Sequence, residues 1–177
     1  MTSPEALARS LVLIGPMGAG KTSIGKRVAR RLGRPFVDTD KAIAAEHGPI
    51  PAIFQQHGEA HFRRLERAAV QQALGTGAVV ALGGGAVLDA ATRADLVQHD
   101  VALLTVDARI VRSRIRGGGR PLLQGEDALE SWKRIAAERT PLYEEVADAV
   151  FDTSRGPLHD VVDAVVMWAG SRRGTER

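Results

Sequence analysis

SLVLIGPMGAGKTSIGKRVARRL, residues 10–32, opens on an apolar run, turns through closely spaced glycines and continues with helical periodicity. Its centre, GPMGAGKT at 15–22, satisfies G-x-x-x-x-G-K-[ST] in full, with a strand before it and a helix after it as that pattern requires. Gly15, Gly18 and Gly20 let the chain curl with its N–H groups turned inward, and the start of the helix adds its positive end. Lys21 can then reach the β- and γ-phosphates of a nucleotide, and the Thr22 hydroxyl suits Mg²⁺. The expected phosphate-contacting set is Gly15, Gly18, Ala19, Gly20, Lys21, Thr22 and Ser23.

Outward from this turn, short apolar runs alternate with helical stretches. Residues 10–14, 35–39, 78–82, 101–106 and 149–152 read as strands. Residues 21–32, 59–74, 90–98, 108–115, 128–146 and 158–169 read as helices, with shorter helical pieces at 41–46 and 51–56. Asp89 and Asp107 stand at N-cap positions, and Asp127 with Glu130 resembles a capping box. Such alternation predicts a three-layer α/β/α fold around a parallel sheet. The chain has 177 residues, which suits one domain with a core at about 10–170. The stretch 116–127, RGGGRPLLQGED, lacks periodicity and is expected to be a mobile lid, while 171–177 is expected to fray.

Composition excludes several functions. Apolar residues make up 44% and charged residues 25%, as in soluble domains. No apolar run is long enough to cross a bilayer, and the first residues lack a signal-peptide core. With no cysteine, disulfides and thiolate metal sites are excluded, and a cytoplasmic location is expected. Arginine greatly outnumbers lysine, which suits recognition of phosphates and carboxylates. His57 and His61 lack the H-E-x-x-H order of a zinc site and read as surface groups.

FVDTD, residues 36–40, sets two carboxylates at the end of the second strand. In an extended strand, residues two apart point the same way, roughly 6.5–7 Å apart. Asp38 and Asp40 would then both face the crevice at the carboxyl ends of the strands, with Thr39 turned away. The spacing alone equally allows Asp40 to cap a helix from residue 41 with Asp38 solvated. Arg63 and Glu66 are three apart and can pair on a helix, as a substrate clamp or a plain surface ion pair. Gly83, Gly84 and Gly85 either admit a ligand to the backbone or form a tight turn. Arg109, Arg112, Arg114, Arg116 and Arg120 cluster, with Arg139 further on. A solvated helix face explains Arg109 and Arg112, and the region lacks aromatic platforms for nucleic-acid bases.

These motifs together resemble the shikimate kinase family: GPMGAGKT, DTD at 38–40, GExxFRxxE beginning at Gly58, GGG at 83–85, RPLL at 120–123 and ERxPLY at 138–143. The resemblance spans about residues 11–158. It implies a five-stranded parallel sheet of order 2-3-1-4-5, of the nucleoside-monophosphate-kinase type, in a single kinase domain with a substrate-binding helical region at about 40–75. It also implies transfer of the ATP γ-phosphoryl group to the 3-hydroxyl of shikimate, in aromatic amino acid biosynthesis. By position, Lys21, Asp40 and Arg120 would be catalytic, with Arg120 on the transferring phosphoryl group. Thr22 and Asp38 would hold Mg²⁺. Asp40, Arg63, Arg139, Gly83, Gly84 and Gly85 would bind shikimate, with Glu66 orienting Arg63. Arg114 and Arg116 are both candidates to stack on adenine, and Arg155 falls near the adenine loop. A cytoplasmic monomer without membrane or nucleic-acid partners is expected. The competing readings are a same-fold kinase of gluconate or another sugar acid, and a basic phosphate-loop module that binds nucleic acid.

Overall fold

The computed structural model describes residues 9–114 and 128–174. Five strands are present: β1 (Leu11–Ile14), β2 (Phe36–Asp38), β3 (Val79–Ala81), β4 (Asp100–Thr105) and β5 (Ala149–Asp152). The seven helices among the described residues are α1 (Lys21–Leu32), α2 (Thr39–His47), α3 (Ile50–Ala73), α4 (Ala90–Leu96), α5 (Ala108–Arg114), α6 (Ala128–Val146) and α7 (Leu158–Gly174). The strands pair in the order β2-β3-β1-β4-β5, and every pair is parallel, as expected.

β1 lies at the centre of the sheet and is buried on both faces. Leu11 and Leu13 pack with Ile24 and Val28 of α1 and Val165 of α7. Val12 and Ile14 point the other way, toward Val70 of α3, Leu96 of α4 and Tyr143 of α6. A strand covered by helices on both sides must be apolar throughout, which is why residues 11–14 show no polar alternation. Because β3 and β4 flank β1, the chain leaves β1 at the point where strand order reverses. A crevice opens there at the carboxyl ends of the strands.

The helix starts follow local chemistry. The Asp89 carboxylate accepts from Thr92 N at 2.8 Å to cap α4, and Asp107 accepts from Arg109 N at 2.8 Å at the start of α5. Asp127 lies outside the described residues, so the proposed capping box does too. Three expectations are corrected. Helix α2 begins at Thr39 rather than at 41. The pieces at 51–56 and 59–74 form one element, broken at Gly58, whose φ of 80° is not helical. Helix α7 runs on to Gly174 rather than ending at 169. Arg172 holds this last turn by ion pairs to Asp100 at 3.1 Å and Asp148 at 3.2 Å and by lying over the Trp168 ring. The expected lid falls outside the described residues.

Gly15 fixes how tightly the turn after β1 meets the sheet. It adopts φ 139°, and a Cβ there would lie 2.2 Å from the Leu104 carbonyl oxygen of β4. Backbone cannot yield as a side-chain tip can. Gly15→Ala is therefore expected to cost about 2 kcal/mol or more of folding stability, seen as a lower urea midpoint. An unchanged midpoint would show that the turn tolerates a displacement from β4.

Candidate active site

The turn from β1 into α1 forms one wall of a cavity of about 620 Å³ at the carboxyl ends of the strands. Gly18, Lys21, Thr22 and Ser23 line it from the loop, and Asp38 and Asp40 from the end of β2 and the start of α2. Gly18 and Gly20 have φ of 81° and 91°, the left-handed conformation that curls the loop. Ala19 is wholly buried among core side chains, its N–H donates to Pro16 O at 3.2 Å, and it is not among the cavity-lining residues. The Lys21 ammonium folds back over the loop and donates to the carbonyls of Gly15 at 2.6 Å and Pro16 at 3.0 Å. Thr22 Oγ1 donates to Asp38 Oδ2 at 2.6 Å, joining the loop to the end of β2.

The two carboxylates of 36–40 reach the cavity by a different route from the one their spacing suggested. β2 ends at Asp38, so no strand pleat relates the pair. Asp38 caps α2 instead, with Oδ1 accepting from Lys41 N at 3.1 Å, and Asp40 sits in the first turn of that helix. The alternative reading, a cap at Asp40, places the helix start two residues too late. Thr39 does turn away, as expected. It is buried, donating to Ala81 O at 3.4 Å and accepting from Gly83 N at 3.2 Å, which fixes the start of α2 to the end of β3. Burial raises the Asp40 pKa and the neighbouring Asp38 charge adds to that, against the opposing pull of Lys21 and Arg63.

Behind Asp40 lies a compact set of charges around the glycines that follow β3. Arg63 on α3 donates to Glu66 Oε2 at 2.7 Å and to Glu59 Oε1 at 3.0 Å. The pair is not a plain surface bridge, since Glu66 is only 3% exposed. Burial lifts the Glu66 carboxyl to a pKa of about 7, with Arg63 opposing the rise and Asp40 reinforcing it. A Cβ on Gly83 would fall 2.5 Å from Asp40 Oδ1 and 2.8 Å from Glu66 Oε1, and one on Gly85 2.2 Å from Arg63 Nη1. Arg139 on α6, 7% exposed, reaches the same floor, 3.5 Å from a Cβ built on Gly84. Any side chain at 83 or 85 would displace the charged groups that these glycines gather.

Other expected residues are placed less uniformly. Arg114 lines the cavity and donates to Gly18 O at 2.9 Å and Thr153 O at 3.2 Å. Arg155 is exposed near Asp107 and Asp152 and is not among the cavity-lining residues. Arg116 and Arg120 lie outside the described residues. Arg109 is solvated and paired with Asp107, as the helix-face reading expected. His57 is exposed and His61 half-buried, with ring centroids 4.8 Å apart, and no group of three or more potential metal ligands occurs among the described residues. No described helix is long and apolar enough to cross a membrane.

Tyr143 was not anticipated as a site residue. Its hydroxyl donates to Gly84 O at 2.5 Å, and burial raises its pKa to about 12, so it stays a neutral donor. Its position four residues after Arg139, hence on the same helix face, was the available signal.

Comparisons with known proteins bear on the chain as a whole. The family model for shikimate kinase matches residues 17–169. The chain belongs to the shikimate kinase family. A shikimate kinase of Stenotrophomonas maltophilia is 44% identical over 171 residues, covering 91% of this chain and 94% of that one. The structure of an Acinetobacter baumannii shikimate kinase in complex with shikimate superposes with a TM-score of 0.88 at 34% identity, covering 93% of this chain and 94% of the other. A gluconokinase from Sinorhizobium meliloti shares the fold, with a TM-score of 0.63, but at 21% identity the likeness extends no further. As a shikimate kinase, the chain is an ATP-dependent kinase.

The buried Glu66 makes stability depend on pH. The folded state keeps its proton between the ordinary value of 4.5 and about 7, where the unfolded chain releases it. Stability should therefore fall as pH rises through that interval, by on the order of 2–3 kcal/mol from this group. Urea unfolding at pH 5 and pH 7.5 should show a smaller drop in Glu66→Gln than in the parent. Equal drops would mean that Glu66 ionises at its ordinary pKa.

Proposed function

We propose that this chain transfers the γ-phosphoryl group of ATP to the 3-hydroxyl of shikimate, with the acceptor bound between Asp40, Arg63, Arg139 and the floor of Gly83, Gly84 and Gly85. The observation that carries the reading is the gathering of two guanidiniums and the half-buried Asp40 carboxylate within reach of the phosphate loop. A small polyhydroxylated carboxylate needs cationic forks for its acid and an acceptor for its hydroxyls, and this set supplies both.

Lys21 exchanges its own loop carbonyls for phosphate oxygens, keeping its ammonium saturated with acceptors throughout. Asp40 orients the attacking hydroxyl and takes its proton late. Phosphoryl transfer passes through a loose transition state, in which position and charge neutralisation outweigh strong base catalysis. Glu66 holds the Arg63 fork against the acceptor carboxylate, and Tyr143 fixes the Gly84 carbonyl. Thr22 Oγ1 and Asp38 Oδ2, 2.6 Å apart, are hard oxygen donors that fit Mg²⁺. When bound there, Mg²⁺ neutralises phosphate charge. Arg114 serves the nucleotide side. From the motif alone, Arg120 is assigned to the transferring phosphoryl group.

A monomeric cytoplasmic enzyme belongs to the same proposal. The exposed large apolar side chains among the described residues are four, Leu88, Val97, Val150 and Met167, few for a surface that joins copies.

Coupled ADP-release assays with shikimate, with gluconate and with no acceptor test the reading. ADP should form with shikimate alone, and equal release without acceptor would end the kinase assignment. Asp40→Asn should lower turnover by about 100-fold or more while ATP affinity changes little. Turnover like that of the parent would remove Asp40 from the chemistry.

A further inference from the structure

The four carbonyls between Gly15 and Gly18 each have a donor, and the donors differ in kind. Lys21 Nζ serves Gly15 O and Pro16 O, and Ala19 N also reaches Pro16 O at 3.2 Å. Arg114 Nη1 serves Gly18 O at 2.9 Å. Met17 O accepts from Trp132 Nε1 of α6 at 2.8 Å. Lys21 and Arg114 are cations on the cavity wall, so a polyphosphate entering it would compete for both. The indole N–H is neutral and sits on a side chain only 5% exposed, packed against Val111 and Ile135. No anion draws it away.

We propose that Trp132 is a positioning residue for nucleotide binding, which holds the Met17 carbonyl outward and thereby keeps the Gly18 N–H turned into the cavity. All peptide bonds described are trans. In a trans peptide the C=O and the following N–H point in opposite directions, so anchoring one aims the other. Met17 and Gly18 both line the cavity, which places that peptide at its wall. Trp132 touches no substrate in this scheme and acts through the loop. The aromatic ring also packs, so the hydrogen bond must be separated from the packing. The inference rests on the nucleotide-binding reading above.

The separating variant replaces Trp132 with benzothienylalanine, which keeps the bicyclic shape and has sulfur in place of N–H. Trp132→Phe is the second variant. The same analogue at Trp168, packed edge-on to Phe151 away from the loop, is the control. Calorimetric titration with ADP alone should show affinity about three- to tenfold lower in both Trp132 variants. Shikimate affinity without nucleotide, and the thermal midpoint of the analogue, should match the parent, and the Trp168 control should bind ADP normally. Unchanged ADP affinity in the Trp132 analogue would overturn the proposal. So would a parallel loss of ADP and shikimate affinity, which marks a general displacement of α6. A parent protein that binds no ADP would instead count against the nucleotide reading itself.

Discussion

A peptide plane sends its C=O and the next N–H in opposite directions, so a loop can present amides to a phosphate only if its carbonyls find partners elsewhere. The turn after β1 meets this constraint with donors from its own helix, from α5 and from α6. Those contacts, with the close approach of Gly15 to β4, set where α5 and α6 stand relative to β1. Arg139 and Tyr143 lie further along α6, so the support of the turn after β1 and the support of the Gly83–Gly85 segment share one helix.

The charges around Gly83–Gly85 obey a different constraint. Two carboxyl groups, Asp40 and Glu66, lie largely out of water, and each would be costly there without compensation. Arg63 supplies it directly to Glu66, and Arg63 and Lys21 supply it at longer range to Asp40. Burial still dominates for both, which leaves their proton affinities raised. The absence of side chains at 83 and 85 is what lets these charges crowd together. Between the two halves, residues 38–40 divide the work. Asp38 ties to the turn after β1, Thr39 locks the segment to β3, and Asp40 lines the cavity.

Much of this was legible in the chain. The glycine spacing and the flanking strand and helix identified the phosphate loop, because backbone curvature is a local property. The strand order followed from resemblance, and the starts of α4 and α5 from periodicity and capping chemistry. The pair at 38 and 40 was expected at the crevice and does line the cavity, but not by the strand geometry assumed. Extended spacing was assumed, whereas the strand stops at Asp38 because its own side chain caps the next helix. Burial of Glu66 was not legible either, since a pair three apart on a helix looks the same at a surface as against a sheet.

By itself the sequence determined the turns, the caps, the apolar run at the sheet centre and the residue types able to hold phosphate and carboxylate. Each of those depends on neighbours within a few positions. Tertiary structure alone decided which carbonyl Trp132 holds, that Tyr143 reaches Gly84, that Arg155 stays outside the cavity and how far the Asp40 and Glu66 pKa values shift. The donor and acceptor in the Trp132–Met17 bond are 115 positions apart. Hydrogen-bond partners and local dielectric are set by what packs together in space, and no local pattern encodes them.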